Sequence, residues 1–180
     1  LLAPADALGK TFCIMEHNKK QSKRDEALLL KKNAEIGNAN LDLKRIYVLT
    51  GGVTASASEA VINCLIPYLT RSNITIIGEK PIGKRVGGNT FGTKEEYGWL
   101  LHPITLRIYN ADHNADYANG FEPDVKLEEL VIGNELLPFG DTGEILLSEA
   151  LSQITGLKSR SVRTESEGRI LLAPSSLERK

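Results

Sequence analysis

The stretch RIYVLTGGVTASASEAVINCLIPYLTRSNITIIGE, Arg45 to Glu79, changes its apolar period twice. Arg45 to Gly52 is a continuous β-branched and aromatic run closed by two glycines, the pattern of a buried parallel strand entering a tight turn. Val61, Cys64, Leu65, Tyr68 and Leu69 then recur at i, i+3, i+4, i+7 and i+8, which predicts an amphipathic helix over 58–69. Pro67 should kink its last turn, because the proline nitrogen cannot donate to the carbonyl of Asn63. Asn73 to Glu79 reads as a second short buried strand. Strand, helix and strand within about 35 residues make a βαβ unit with a right-handed crossover, so the fold class is α/β.

Upstream of this unit, Lys10 to His17 suits a strand packed on both faces. Asn18 to Lys44 is polar and reads as a long surface excursion, with a weak helix at Ala27 to Leu30. Downstream, Pro81 to Thr93 is a Gly-rich loop. Trp99 to Asn110 supplies further strand, where Pro103 suggests a bulge or an edge position. Gly120 to Leu127 is a turn into a short strand. Ile145, Leu146, Ala150, Leu151 and Ile154 form the stripe of a surface helix over 143–154. From Leu157 to Lys180 charged and hydroxylated residues dominate, which predicts a flexible polar tail.

A chain of 180 residues can bury one core and is short for two full domains. Lysine and arginine number 22 against 23 acids, so no net field draws the chain toward nucleic acid or an anionic membrane. No apolar run is long enough to cross a bilayer. Cys13 and Cys64 form no CxxC pair and read as buried, small apolar fillers. The chain starts at Leu1 with what looks like the end of a helix stopped by Pro4 and Gly9, so it reads as a fragment of a longer protein.

Three places could carry chemistry. Ser56 to Glu59 fits S-x-x-E, a capping box in which Glu59 reaches back to the helix start. The same corner sets a serine hydroxyl beside free amides at the positive end of a helix dipole, with the small Ala55 and Ala57 leaving room for a substrate backbone. A serine needs a base to act as nucleophile. His17, His102 and His113 share no useful spacing and read as structural. Lys84 is the better candidate, since the ends of neighbouring parallel strands meet at one edge of a sheet. A lysine accepts a proton at neutral pH when an apolar pocket desolvates it, and Lys80 and Arg85 nearby push the same way.

The second place, GEKPIGK at Gly78 to Lys84, has the G-x-x-x-x-G-K spacing of a phosphate loop, but Arg85 stands where a Mg²⁺-ligating hydroxyl belongs and no helix follows. The third, DHNAD at Asp112 to Asp116, spaces oxygens as in a Ca²⁺ loop but lacks its glycine and its closing glutamate.

YVLTGGVTASASEAVINCL, IIGEKPIGK, NGFEPDVKL and LPFGDTGEILLSEAL, in that order, resemble the S41 peptidases, the C-terminal processing or tail-specific proteases. The resemblance covers residues 1–156, as the C-terminal part of the catalytic domain, and leaves 157–180 as the tail. It implies a partial ClpP/crotonase-like ββα superhelix. It makes Ser56 the nucleophile and Lys84 the general base of a Ser-Lys dyad, with the Ala57 amide as one oxyanion donor. Where the family often has a glutamine four residues after the lysine, this chain has Gly88, with Asn89 next as possible support. The second oxyanion amide is expected from an Asn-Gly-Gly segment upstream of Leu1, so activity is expected only in a longer protein. The resemblance further implies protein or peptide substrates cut near their C-terminal parts, no cofactor and no metal, and a bacterial periplasm or envelope location. Unpaired sheet edges leave room for a homodimer. The competing reading is a catalytically impaired S41-like domain that binds peptides or lipids.

Overall fold

The computed structural model describes residues 1–31, 39–129 and 137–157. In chain order its elements are β1 (Thr11–His17), β2 (Glu26–Leu29), β3 (Ile46–Thr50), α1 (Ala57–Leu69), β4 (Ile74–Gly78), β5 (Val86–Gly88), α2 (Lys94–Tyr97), β6 (Ile104–Tyr109), β7 (Val125–Lys126) and α3 (Ile145–Thr155). The central unit forms as its periodicity demands. β3 and β4 run parallel with Ile46 opposite Ile74 and Thr50 opposite Gly78, and β7 extends that sheet beside β4. A second sheet is antiparallel, in the order β2-β1-β6-β5.

Helix α1 lies between the two sheets, packed on β4 from one side and on β1 and β6 from the other. Its Ile62, Leu65 and Leu69 join Ile46, Ile74 and Ile76 in one core cluster. Full burial of an isoleucine or leucine contributes roughly 1.5–3 kcal/mol, so this seam anchors the helix firmly. The buried stripe is rotated from the expected one: Ile62 is buried, while Val61 faces solvent. Helix α3 covers the opposite face of the parallel sheet, setting Leu146 and Ala150 against Ile77. The layers therefore run α3, parallel sheet, α1, antiparallel sheet.

Pro67 sits inside α1, and the carbonyl it orphans has found a substitute donor. Asn110 Nδ2 donates to Asn63 O at 3.3 Å, while Asn63 Nδ2 donates to Asn114 O at 2.8 Å. Asn110 Oδ1 also accepts the N–H groups of Asp112 and Asn114. The DHNAD loop is thus a polar clamp on the back of α1.

Two local expectations need correction. Ala27 to Leu30 is not helical: β2 pairs antiparallel with β1, Ala27 opposite Ile14. Pairing satisfies the backbone groups on the open edge of β1, which a single turn of helix there would leave unpaired. The Gly-rich segment is not all loop either, since β5 pairs Val86 with Arg107 and Gly87 with Leu106. Its glycines belong there because β6 crosses closely: a Cβ on Gly88 would stand 2.3 Å from Pro103 O. β1 is less enclosed than expected, with Cys13 its one fully buried residue. Residues 158–180 of the expected tail lie outside the described residues.

Candidate active site

Strand β3 ends at Thr50, and the turn that follows folds onto itself. Thr54 N–H donates to Gly51 O, and Gly51 N–H donates to Thr54 Oγ1, both at 3.0 Å. The chain then reaches Ser56 with φ 61° and ψ −117°, a conformation side chains rarely adopt. Such strain costs on the order of 1–3 kcal/mol and persists only when its surroundings enforce it.

The enforcing group is Glu59. Its carboxylate is fully buried and accepts three main-chain N–H groups: Ser56 to Oε2 at 3.1 Å, Lys84 to Oε2 at 2.8 Å and Gly83 to Oε1 at 2.7 Å. The reach-back half of the capping box is therefore present, and the same two oxygens also hold the loop after β4. The backbone nitrogens of Ser56 and Lys84 lie within the span of two hydrogen bonds meeting at one atom. A buried carboxylate is tolerated here because charge-assisted bonds occupy it and because it sits in the first turn of a helix. The S-x-x-E spacing was the sequence signal for the bond from Ser56 N–H to Glu59; that Glu59 also reaches Gly83 and Lys84 had no signal in the sequence.

Other contacts fix the lysine loop. Ile82 N–H donates to Thr54 O at 2.9 Å, and Thr50 Oγ1 donates to Glu79 O at 2.7 Å. Gly83 adopts φ +91°, and a Cβ there would meet Ala118 O at 2.3 Å, so only glycine passes between the two loops. Arg85 donates to Ala115 O at 2.8 Å, and Lys80 pairs with Glu122. That partner, by its hydrogen bond and then its charge, holds Glu122 below the usual carboxylate range. Both cations near Lys84 in sequence are thus engaged elsewhere. Tyr117, buried and stacked on Phe121 at 5.0 Å, backs this region. Burial first, then Cys64 and Glu59, push its hydroxyl up to about 12.

The corner brings the backbones of Ser56 and Lys84 together through Glu59, with Ala57 next to Ser56. Ser56 is half-buried, and Ala57, Ser58 and Lys84 are exposed. The burial that the sequence reading asked for around Lys84 is not provided by the described residues. Ala57, as the first residue of α1, has an N–H with no acceptor inside the helix. Asn89 is set apart: its Nδ2 donates to Thr105 Oγ1 at 2.8 Å on the antiparallel sheet. Position 88, four residues after Lys84, is closed to a side chain by Pro103 O. The histidines lie elsewhere, His102 bonded with Thr90, His113 with Glu16, and His17 Nδ1 3.5 Å from Asp25 Oδ1. A cleft of about 340 Å³ opens beside the corner, between Gly78–Lys80 and Glu122–Glu128, and is not lined by Ser56 or Lys84.

Residues 3–127 match the model of peptidase family S41. The chain belongs to that family. A crystal structure from Bacteroides fragilis NCTC 9343, assigned as an S41 protease, superposes at a TM-score of 0.76 with 33% identity, covering 87% of this S41 chain and 39% of its own. A lipoprotein from Streptococcus agalactiae aligns at 0.51 with 17% identity, over 84% of this chain and 47% of that one, a likeness of fold alone. The photosystem II D1 C-terminal processing protease aligns at 0.47 with 21% identity, over 80% and 34%. No curated protein matches. The S41 chain thus spans 39% of the length of the Bacteroides fragilis protein, and its mixed parallel and antiparallel α/β architecture is that of part of an S41 domain.

Proposed function

We propose that this chain carries the nucleophile and base of a serine endopeptidase whose activity resides in a longer protein. Ser56 is the nucleophile, Lys84 the general base and the Ala57 amide one oxyanion donor. The observation that supports this reading is Glu59, which ties the Ser56 and Lys84 backbones to a single carboxylate.

Neutral Lys84 takes the proton from Ser56 Oγ as that oxygen attacks the substrate carbonyl carbon. The resulting oxyanion rests against the Ala57 N–H and the positive end of α1, an interaction worth a few kcal/mol in a dry site. The tetrahedral intermediate collapses, the peptide nitrogen leaves with the proton held by Lys84, and an acyl-serine remains. Lys84 then draws a proton from water as that water attacks the ester, and returns it to Ser56 Oγ as the acid product leaves. Because Lys84 is exposed in this chain, its desolvation falls to the substrate or to the rest of the protein. Substrates are proteins cut near their C-terminal parts, in a bacterial periplasm or envelope. Asn89, through β5, is at most a positioning residue.

The exposure of Lys84 and the closed position at Gly88 favour one rival, a domain of the same fold that binds peptides or lipids without turnover. The test is proteolysis of an unfolded substrate by the natural longer protein and by its Ser56→Ala, Lys84→Ala and Ser58→Ala variants. Ser56→Ala and Lys84→Ala are expected to lower kcat by on the order of 10³-fold or more, and Ser58→Ala to retain most of it. Equal turnover by all four proteins removes the peptidase reading, and binding without turnover in the parent establishes the rival.

A further inference from the structure

The fold brings together two cysteines that lie far apart in the chain. Cys64 is in α1, two turns beyond Ser56, and is fully buried. Its Sγ–H points to Tyr109 O at 3.9 Å on β6. Tyr109 pairs across the sheet with Ile14 of β1, the residue next to Cys13. Cys13 is also buried, on the strand β1 against which the Cys64 helix packs. Both are free thiols here.

We propose that Cys13 and Cys64 are a redox-active pair that closes reversibly into a disulfide joining α1 to β1. The oxidant is an external disulfide, either a small one such as oxidised glutathione or that of a disulfide oxidoreductase. Cys13 thiolate attacks one sulfur of it, breaking the external S–S bond and releasing one thiolate, which takes up a proton. Cys64, giving its proton to solvent, then attacks the Cys13 sulfur of the mixed disulfide and expels the second thiolate. Two protein thiols are oxidised, and one external disulfide is reduced to two thiols.

The surroundings assign the order of events. Cys13 pairs with Leu28 in β2, and every residue of β2 is exposed. The β1–β2 pairing also carries a register shift between Thr11 and Cys13. A short, solvated edge strand opens locally at small cost, so Cys13 is the thiol an oxidant reaches first. Cys64 as its neighbour, the largest cause, lowers the Cys13 thiol to about 7, while Cys13 and then burial push Cys64 up. Cys13 is the entry nucleophile, and Cys64 resolves the mixed disulfide inside the core.

The experiment exposes the natively folded chain to glutathione redox buffers, traps free thiols by alkylation and reads intact mass and peptide maps. The expected product has lost two hydrogens, carries no free thiol after denaturation and yields one peptide joining Cys13 to Cys64. It should melt several degrees above the reduced chain, because the bridge closes a long loop. Cys64→Ser should instead accumulate a glutathione adduct at Cys13, and Cys13→Ser should leave Cys64 unmodified while folded. Free thiols persisting in buffers that oxidise the unfolded chain, or cross-linking only between chains, would overturn the proposal. The mass measurement on the unmutated chain decides this even if a variant fails to fold.

Discussion

Glu59 shows how one side chain turns a local pattern into a tertiary constraint. Its two oxygens accept from Ser56, Gly83 and Lys84, and a neutral amide cannot replace them. In Glu59→Gln one oxygen becomes an NH₂ that faces N–H donors, leaving buried groups unpaired at a cost of about 1–3 kcal/mol. The urea midpoint of the variant should fall accordingly, and on the proposed function peptidase turnover should fall with it as the Ser56 corner relaxes. An unchanged midpoint would show that the three N–H groups find other partners and that the carboxylate does not hold the corner. Of the candidate site, the placement in the fold was legible: Ser56 at a strand-to-helix corner and Lys84 in the loop after β4 follow from the βαβ reading. The bond across 25 residues from Lys84 to Glu59 was not, because a capping box and a tertiary staple have the same local spelling.

At the scale of elements, period and punctuation gave β3, α1, β4 and α3 to within two residues at either end, since each has a face to bury. They failed where pairing rather than burial makes the element. β2 exposes all its residues, and β5 is mostly glycine, so neither carries an apolar period to read. Pro67 gave half of a pairing, naming the carbonyl it frees on Asn63 but not Asn110 as the new donor. Asn110→Ala should therefore cost about 1–3 kcal/mol in urea unfolding, the usual loss for buried polar groups left without partners. Adding Pro67→Ala gives the helix back an N–H aimed at Asn63 O, so the double variant should recover part of that loss. Simple additivity of the two changes would mean that the two donors do not share one carbonyl.

For the whole molecule, the question is whether the family match at 3–127 bounds the folded unit. It does not. Ile77 of β4 is fully buried, and the side chains that cover it include Leu146 and Ala150 of α3, which lies beyond the matched residues. Glu144 caps this helix, accepting the N–H groups of Leu146 and Leu147, and Gly156 ends it at φ 73°. The parallel sheet would otherwise present an apolar face to water, which short parallel strands do not survive. Leu146→Ala is accordingly expected to cost about 2–5 kcal/mol, lowering the urea midpoint of the entire chain in one cooperative transition. Ile154, 59% exposed in the same helix, serves as the control, and its alanine variant should stay within about 0.5 kcal/mol of the parent. Similar small effects at both positions would detach α3 from the fold and return its boundary to residue 127, because a helix that covers the Ile77 face must lose stability where it touches and not where it meets solvent.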